Sequence, residues 1–165
     1  MNAIELPQLW RGRAALVKGE AAELALDKRE RDRMLSRAAA AMLPEARHVS
    51  FSHSEGYGAA AKGAVPVGID VQVVRDVSER TAHLFLTDAE TEMMSRCTLA
   101  FRLLHFWCAK EAEWKRHGGV TVTLKKTPIV LLEERDYGLL FDVVETVAID
   151  DVIVALTRAL TRPTS

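Results

Sequence analysis

The segment 105–115, HFWCAKEAEWK, brings ionisable and aromatic side chains together at helical spacing. The surrounding residues 98–117 lack glycine and proline and are followed by a Gly-Gly pair, which is typical of a helix end. Residues four apart stack on one helical face, so Trp107, Glu111 and Lys115 form one stripe. This stripe sets a carboxylate beside an ammonium, the charged groups of a potential site, although an ordinary surface ion pair has the same spacing.

A second stripe of the same helix carries Lys110 and Trp114. We expect the first half of this helix to be anchored in a core by three apolar side chains, Leu99, Leu103 and Phe106. The sequence therefore predicts a long helix with one buried side and a charged side near its C-terminal end.

Some forty residues upstream, the segment 65–74 is rich in β-branched residues and predicts a strand. Alternation along a strand places Asp70 and Gln72 on one face. The other face carries apolar residues, Ile69, Val71 and Val73. Gly68 indicates a close approach of backbone or ligand. The same alternation also describes a strand that is simply half exposed, so Asp70 alone does not define a site.

The remaining segments predict an α+β chain rather than a doubly wound one. A helix is predicted over 14–42, where Ala, Leu, Glu, Lys and Arg dominate without proline. Further strands are predicted at 48–52, 57–61, 120–124, 129–132, 139–144 and 151–156, and short helices at 77–84 and 88–94. We expect a polar turn over 53–56, and we expect Thr87 to cap a helix because Glu90 follows three residues later.

The composition of the chain excludes several classes of protein. With 48% hydrophobic and 27% charged side chains, the 165 residues fit one globular domain, 1–165. A net charge of −1 gives no case for nucleic acid or an anionic membrane as the main partner. No apolar run approaches the roughly 20 residues that span a bilayer, and the N-terminus lacks the features of a secretory signal. Cys97 and Cys108 have no metal-ligand spacing, so we expect reduced thiols and a cytoplasmic protein.

The most basic stretch of the chain is 28–37, whose cations are Lys28, Arg29, Arg31, Arg33 and Arg37. It is interleaved with acids at positions 27, 30 and 32. That pattern describes either a solvated, ion-paired face or a phosphate-binding surface. A glycine-rich phosphate loop is absent from the sequence, so a P-loop or Rossmann nucleotide site is not supported.

Three segments now stand in order: HVSFSHSEG at 48–56, VGIDVQ at 67–72 and FWCAKEAEWK at 106–115. Together they resemble the three motifs of the 4′-phosphopantetheinyl transferase superfamily. Its pattern is roughly a Ser-His-Ser turn, then (V/I)G(I/V)D, then Trp-x-x-Lys-Glu-x-x-x-Lys. Each motif alone is weak, whereas three in order with compatible gaps make a specific signal. The resemblance covers about residues 48–156, which leaves 1–45 as a shortened helical N-terminal part.

The resemblance implies an antiparallel sheet packed on a long central helix. It also implies a reaction, in which phosphopantetheine passes from coenzyme A to a serine of an acyl or peptidyl carrier protein and adenosine 3′,5′-bisphosphate is released. Mg²⁺ is the implied metal, because hard cations prefer oxygen ligands and substrate phosphates complete the octahedron. The implied metal ligands are Asp70, Glu111 and Gln72.

The resemblance assigns further roles residue by residue. Glu111 is also implied as the base that takes the serine proton. Lys115, one turn further on, is implied to neutralise charge at the phosphoryl group or to protonate the leaving phosphate. The implied contacts to coenzyme A phosphates are Ser52, His53 and Lys110, with pairing to a motif carboxylate as an alternative for Lys110. For two residues the alternative is a structural role: His53 would cap or pack in a turn, and Trp107 would anchor the helix in the core.

Two departures from the family pattern shape the competing functions. Many members carry an acid where this chain has Gln72, and the first 45 residues are too few for the complete first half of the larger members. Small members assemble homotrimers, so this chain is a candidate homo-oligomer in which 28–37 reaches a neighbour's coenzyme A. The runner-up function is a degenerate homologue that binds coenzyme A or a carrier protein without transfer. A third is an unrelated Mg²⁺-dependent phosphoryl-transfer enzyme.

Overall fold

The computed structural model describes residues 1–119 and 123–159, which form two antiparallel sheets, each covered on its outer side by a helix. The predicted α+β class with antiparallel strands and a long helix is confirmed. Within the described residues, no helix is both long enough and apolar enough to cross a bilayer.

The first half of the molecule comprises residues 2–63. Its strands are β1 (Asn2–Ile4), β2 (Ala14–Lys18), β3 (His48–Ser54) and β4 (Tyr57–Gly63), and its helices are α1 (Ala21–Leu24) and α2 (Lys28–Ala41). The sheet order is β1-β2-β4-β3. Helix α2 begins after Asp27, whose carboxylate accepts a hydrogen bond from the Glu30 amide, and it packs on one sheet face through Leu35 and Ala39.

The second half follows from residue 69. Its strands are β5 (Ile69–Val73), β6 (Leu131–Glu134), β7 (Leu139–Phe141), β8 (Val144–Ile149) and β9 (Val152–Thr157), and its helices are α3 (Asp88–Ser95) and α4 (Arg102–Arg116). The sheet order is β5-β9-β8-β7-β6. The predicted capping box between Thr87 and Glu90 is present at the start of α3. The predicted anchoring of α4 by Leu103 and Phe106 is confirmed as well.

The two halves share one topology. In the first half β2, α2, β3 and β4 follow one another, and β4 lies between β2 and β3 in the sheet. In the second half β5, α4, β8 and β9 take the same places, and β9 lies between β5 and β8. The inner faces of the two sheets share a core that includes Leu16, Tyr57, Ile69 and Val154. The molecule is thus layered as helix, sheet, sheet, helix.

The predicted helix over 14–42 is wrong at its start, because residues 14–18 form β2. Alternate residues of β2 face opposite ways, with Ala15 and Val17 against α2 and Leu16 in the core between the sheets. A strand that is buried on both faces lacks polar alternation, and the run AALV therefore has the composition of a helix. The N-terminal part is consequently built of strands as well as helices.

Other boundaries also differ from the sequence predictions. His53 and Ser54 belong to β3, so the turn shrinks to Glu55 and Gly56, which both have positive φ. The last strands run Leu131–Glu134, Leu139–Phe141, Val144–Ile149 and Val152–Thr157. The predicted strand 120–124 falls mostly outside the described residues, and its last residue begins a 3₁₀ turn, Leu124–Lys126. The first half extends beyond residue 45, because β3 and β4, which carry the first motif, join β1 and β2 in its sheet.

Candidate functional site

Asp70 of β5 is the centre of a buried polar cluster between the two halves. Its side chain is 4% exposed. The Lys115 ammonium lies 3.0 Å from Oδ1, and the Ser52 hydroxyl donates to the same oxygen at 3.1 Å. The Gln72 amide donates to Oδ2 at 3.1 Å. The structure therefore brings together one residue from the first motif, two from the second and one from the third.

A glycine and a set of serines fix the position of β5. A Cβ atom on Gly68 would lie 1.8 Å from the Ala112 carbonyl oxygen, so only glycine lets the backbone of α4 approach this closely. On the other side, β3 meets β5 through side chains. The hydroxyls of Ser50, Ser52 and Ser54 accept hydrogen bonds from the amides of Ile69, Val71 and Val73 at 3.2, 3.1 and 3.1 Å. We call these three contacts the serine ladder.

Glu111 and Lys115 lie one turn apart on α4, as predicted. Burial and the negative charge of Asp70 raise the pKa of Glu111, and the Lys115 charge offsets part of this rise. The Lys115 ammonium also donates to the carbonyl oxygen of Ile69 at 3.0 Å. A carboxylate that is poised to hold a proton thus stands beside a fixed cation and a second carboxylate.

The donor chemistry of this cluster fits a hard cation. No group of three or more His, Cys, Asp or Glu side chains in residues 1–119 and 123–159 could hold a metal ion. A cation such as Mg²⁺ needs few protein ligands, however, because water and substrate phosphates fill the remaining positions. Asp70 and Glu111 offer carboxylate oxygens, and Gln72 offers an amide oxygen if its side chain turns away from Asp70. The residues present therefore suit Mg²⁺ in type.

His53 stands next to Ser52 on β3 but faces the other way. Its ring is 50% exposed, and Nδ1 lies 3.2 Å from an Asp32 carboxylate oxygen of α2. His53 lines a cavity of about 430 Å³ with Lys28, Arg29, Asp32 and Arg33. The basic segment 28–37 therefore lies beside the first motif of its own chain, and no neighbouring subunit is needed to bring them together.

Lys110 lies away from both groups, deep in the second half. Its side chain is 0% exposed, and its ammonium contacts the Glu90 carboxylate at 2.8 and 2.9 Å and the Thr127 carbonyl oxygen at 2.6 Å. Each of its three donor positions has a protein partner. This placement matches the predicted alternative of pairing with a carboxylate, although the carboxylate belongs to α3 and to none of the three motifs. It does not match a contact with coenzyme A.

Two further residues of α4 serve packing. The Trp107 ring meets Phe85 edge to face, with ring centroids 4.9 Å apart, in the predicted role of a core anchor. His105 is buried, and its Nδ1 lies 2.7 Å from the Thr146 hydroxyl. Burial lowers the pKa of His105 to about 4. No local pattern indicates the role of His105, because Thr146 is 41 residues away along the chain.

Comparisons with known proteins bear on the segment that carries the second and third motifs. Residues 66–137, fewer than half of the 165, match the family model ACPS, described as 4′-phosphopantetheinyl transferase superfamily. A comparison with curated proteins found no significant match. Among solved structures, the holo-[acyl-carrier-protein] synthase (AcpS) of Thermotoga maritima is similar at 24% identity with a TM-score of 0.43. That similarity covers 56% of this chain and 61% of the synthase chain, which is less than two thirds of its length.

The family model includes Asp70, Gln72, Glu111 and Lys115, and it begins after the first motif. It thus spans the carboxylates and the ammonium that meet between β5 and α4. The resemblance predicted from the motifs is confirmed for this segment: residues 66–137 match the model of the 4′-phosphopantetheinyl transferase superfamily.

Proposed function

We propose that this chain transfers the 4′-phosphopantetheine group of coenzyme A to a serine of an acyl or peptidyl carrier protein, with Mg²⁺ as cofactor. The observation that carries the proposal is the meeting of Asp70, Glu111 and Lys115 inside the segment that matches the superfamily. Cleavage of a pyrophosphate by a hydroxyl needs a base for the hydroxyl proton and positive charge for the phosphoryl oxygens. These three residues supply both.

Glu111 is the proposed base. Its raised pKa keeps it a better proton acceptor than an exposed glutamate, and it acts once ionised, so the transfer rate should rise with pH through that raised pKa. The ammonium of Lys115 is held beside Asp70 and stabilises negative charge on the departing phosphate. The serine proton thus ends on Glu111, and the leaving group is adenosine 3′,5′-bisphosphate.

Asp70 and Glu111 are the proposed protein ligands of Mg²⁺, with Gln72 as a neutral third. When bound, the metal acts as a Lewis acid on the pyrophosphate and as a template for it. Asp70 is already oriented by the Ser52 hydroxyl. Ser52 therefore acts on the site by holding a carboxylate, which differs from the direct phosphate contact implied by the family motif.

The phosphates of coenzyme A are proposed to reach the cavity of His53, Lys28, Arg29 and Arg33. The lysine and the two arginines are exposed cations, and the His53 ring is exposed beside them, as phosphate recognition requires. Lys110 is left out of this proposal because its ammonium is enclosed by protein. Both parts of the site come from one chain, so a homo-oligomer is compatible with the proposal but not necessary for it.

The carrier protein is proposed to approach the same side. Carrier proteins of this class are acidic helical bundles, and exposed arginines of α2, including Arg29 and Arg33, would steer an acidic partner. The acceptor serine must reach Glu111, whose side chain is partly accessible between the two halves.

The test is intact-mass analysis of an apo carrier protein incubated with this protein, coenzyme A and Mg²⁺. Glu111→Gln removes the base at nearly constant shape. Glu133→Gln is the matched control, because this carboxylate is 57% exposed on β6, where it contacts Arg135. We expect a phosphopantetheine mass gain with wild type and with the control, and none with Glu111→Gln. A gain that survives Glu111→Gln at the wild-type rate would remove Glu111 from the reaction.

The runner-up is a homologue that binds coenzyme A or a carrier protein without transfer. It is favoured by the partners of Asp70, since Lys115, Ser52 and Gln72 satisfy that carboxylate without a metal. If it holds, coenzyme A raises the melting temperature while no carrier protein from the same genome gains mass. Asp70→Ala and Glu111→Ala then leave the cellular role intact. Absence of any thermal shift with coenzyme A would favour an unrelated phosphoryl-transfer enzyme.

A further inference from the structure

Asp32 of α2 forms the inner wall of the His53 cavity. Its side chain is only 6% exposed. One oxygen, Oδ2, lies 2.7 Å from the Lys28 ammonium and 3.2 Å from His53 Nδ1. The other oxygen, Oδ1, is buried and has no hydrogen-bond partner among the described residues, since Arg31 Nε stands 3.6 Å away.

Stability does not account for a carboxylate at this position. Burying an ionised carboxylate costs free energy that only well-formed partners offset. Two of the three partners of Asp32 are largely solvated, because the side chain of Lys28 is 74% exposed and that of His53 is 50% exposed. The third, Arg31, is 18% exposed but stands 3.6 Å from the carboxylate. Helix α2 is held to its sheet by apolar contacts instead, through Leu35 and Ala39. The charge on Asp32 therefore has its effect at the cavity.

That effect follows from the position of the His53 ring. The Asp32 carboxylate lies 3.2 Å from Nδ1, so this edge of the ring faces the carboxylate, and Nε2 is the ring nitrogen that His53 offers to a ligand. Lys28, held by the same carboxylate oxygen, lines the same cavity with Arg29 and Arg33. An oriented imidazole ring among three cations is the chemistry of a site for a phosphate group.

We infer that Asp32 is a positioning residue of the phosphate site: its buried carboxylate orients the His53 ring and the Lys28 ammonium so that both can bind one phosphate group of coenzyme A. This inference rests on the proposed function for the identity of the ligand. The site itself, a phosphate-sized anion on His53 and Lys28, does not require that transfer occurs.

The inference and simple electrostatics predict opposite signs for one substitution. Asp32→Asn removes a negative charge from a cationic cavity, which by charge alone strengthens anion binding. Loss of ring orientation weakens it, by about five- to tenfold for one well-placed hydrogen bond. Glu30→Gln is the matched control, because it makes the same charge change two residues away on α2, at an exposed side chain outside the cavity.

The experiment measures the dissociation constant of coenzyme A by calorimetry, without carrier protein, and then kcat and KM with it. We expect Asp32→Asn to raise the dissociation constant and KM by about five- to tenfold with kcat nearly unchanged. We expect Glu30→Gln to leave binding unchanged or slightly tighter. Tighter or unchanged binding by Asp32→Asn would overturn the inference, and so would equal losses in kcat and in thermal stability without a change in KM.

A double-mutant cycle with His53→Ala tests whether Asp32 acts through the ring. In the His53→Ala background, Asp32→Asn should change coenzyme A binding by less than about twofold, because the group it orients is gone. The same loss in both backgrounds would assign Asp32 a purely structural role. Dephospho-coenzyme A, which lacks the 3′-phosphate, identifies the phosphate group. If Asp32→Asn no longer weakens binding of this ligand, the 3′-phosphate lies in the cavity. If Asp32→Asn still weakens its binding, the pyrophosphate lies there.

Nuclear magnetic resonance of the ¹⁵N-labelled histidine separates this inference from the proposed function. Inorganic pyrophosphate should shift the His53 Nε2 resonance in wild type and in Glu30→Gln, and the shift should be lost in Asp32→Asn. If that result is obtained while no carrier protein is modified, the phosphate site stands and the transferase proposal fails. If transfer occurs and pyrophosphate shifts the His53 Nε2 resonance equally in wild type and in Asp32→Asn, only the positioning role of Asp32 fails.

Discussion

The two halves of this protein have the same order of strand, helix, strand and strand, yet they place charge differently. Among the described residues, the first half buries one charged side chain, Asp32. The second half buries several ionisable groups, Asp70, Glu90, His105, Lys110 and Glu113. The first half presents its cations to solvent at the start of α2, whereas the second half buries charges on either side of α4, with Lys110 against Glu90 of α3 and Asp70 beside β3.

The packing of each half explains the difference. Helix α2 lies on a sheet of small residues, so close that a Cβ atom on Gly58 would lie 2.2 Å from the Leu35 carbonyl carbon. Helix α4 packs on a deeper core in which Phe106 and Phe141 meet edge to face. A deep core can hold charged groups rigidly and out of water, as acid–base chemistry requires. A shallow one leaves them mobile at the surface, which suits the capture of an anionic ligand.

The largest expected difference between the halves concerns their lysines. Lys110→Met should lower the free energy of unfolding by about 3–5 kcal/mol, because it leaves Glu90 charged, buried and unpaired. Lys28→Met should lower it by no more than about 1 kcal/mol, since its ion pair with Asp32 is solvent-exposed on the lysine side. Urea denaturation of both variants measures the contrast. Similar losses in the two would mean that α2 and α4 do not differ in how they bury charge.

The next largest difference concerns the carboxylates that face each site. Asp70→Asn should reduce the rate of transfer by at least about 100-fold, because it weakens both metal binding and the placement of Lys115. The matching change in the first half, Asp32→Asn, should act mainly on KM. Single-turnover kinetics at saturating coenzyme A separate the two effects. A kcat for Asp70→Asn within a fewfold of wild type would place the reaction elsewhere.

A pH-dependent loss of stability is expected from the second half. The pKa of His105 is about 4 in the folded protein against an ordinary value of 6.5, so the unfolded chain binds its proton more readily. Stability from this residue is complete above pH 6.5 and is lost as pH falls toward 4, by up to about 3 kcal/mol. Denaturation of wild type and His105→Gln at pH 7 and pH 4.5 tests this. Parallel losses in the two proteins would show that another group is responsible.

The smallest expected effect sharpens the metal proposal. Gln72→Glu adds a carboxylate beside Asp70 and should lower the Mg²⁺ concentration for half-maximal activity by a fewfold, about 1 kcal/mol of metal binding. A Mg²⁺ titration of the initial transfer rate is the measurement. An unchanged midpoint would remove Gln72 from the metal ligands and leave it as a hydrogen-bond donor to Asp70.

Local sequence patterns predicted the second half well. A period of four placed Glu111 one turn before Lys115, and alternation placed Asp70 and Gln72 on one face of β5. These signals depend on residues within one turn or one strand of each other, which a sequence displays directly. The close approach at Gly68 was predicted for the same reason, although the partner turned out to be the backbone of α4.

Features that depend on distant segments were missed. Nothing in the local pattern pairs Lys110 with Glu90, which lies 20 residues away on another helix. The contact between Asp32 and His53 exists only because α2 crosses the end of β3. The local pattern predicts a helix at the strand Ala14–Lys18, because both faces of the strand are buried and most of its residues are strong helix formers. In each case tertiary contacts decide what local propensity leaves open.

The serine ladder also fixes the position of β3 along β5. Its three hydroxyls meet alternate amides, so sliding one half past the other by two residues would displace Ser52 from Asp70 by about 7 Å. A slip by one residue would turn Val49 and Phe51 toward β5 and leave its amides without acceptors. The span from the His53 cavity to the Asp70 carboxylate is therefore set in steps of the peptide repeat. A ligand that needed a different span would require a change of two residues in the length of β3, because only a two-residue step keeps the serines facing β5.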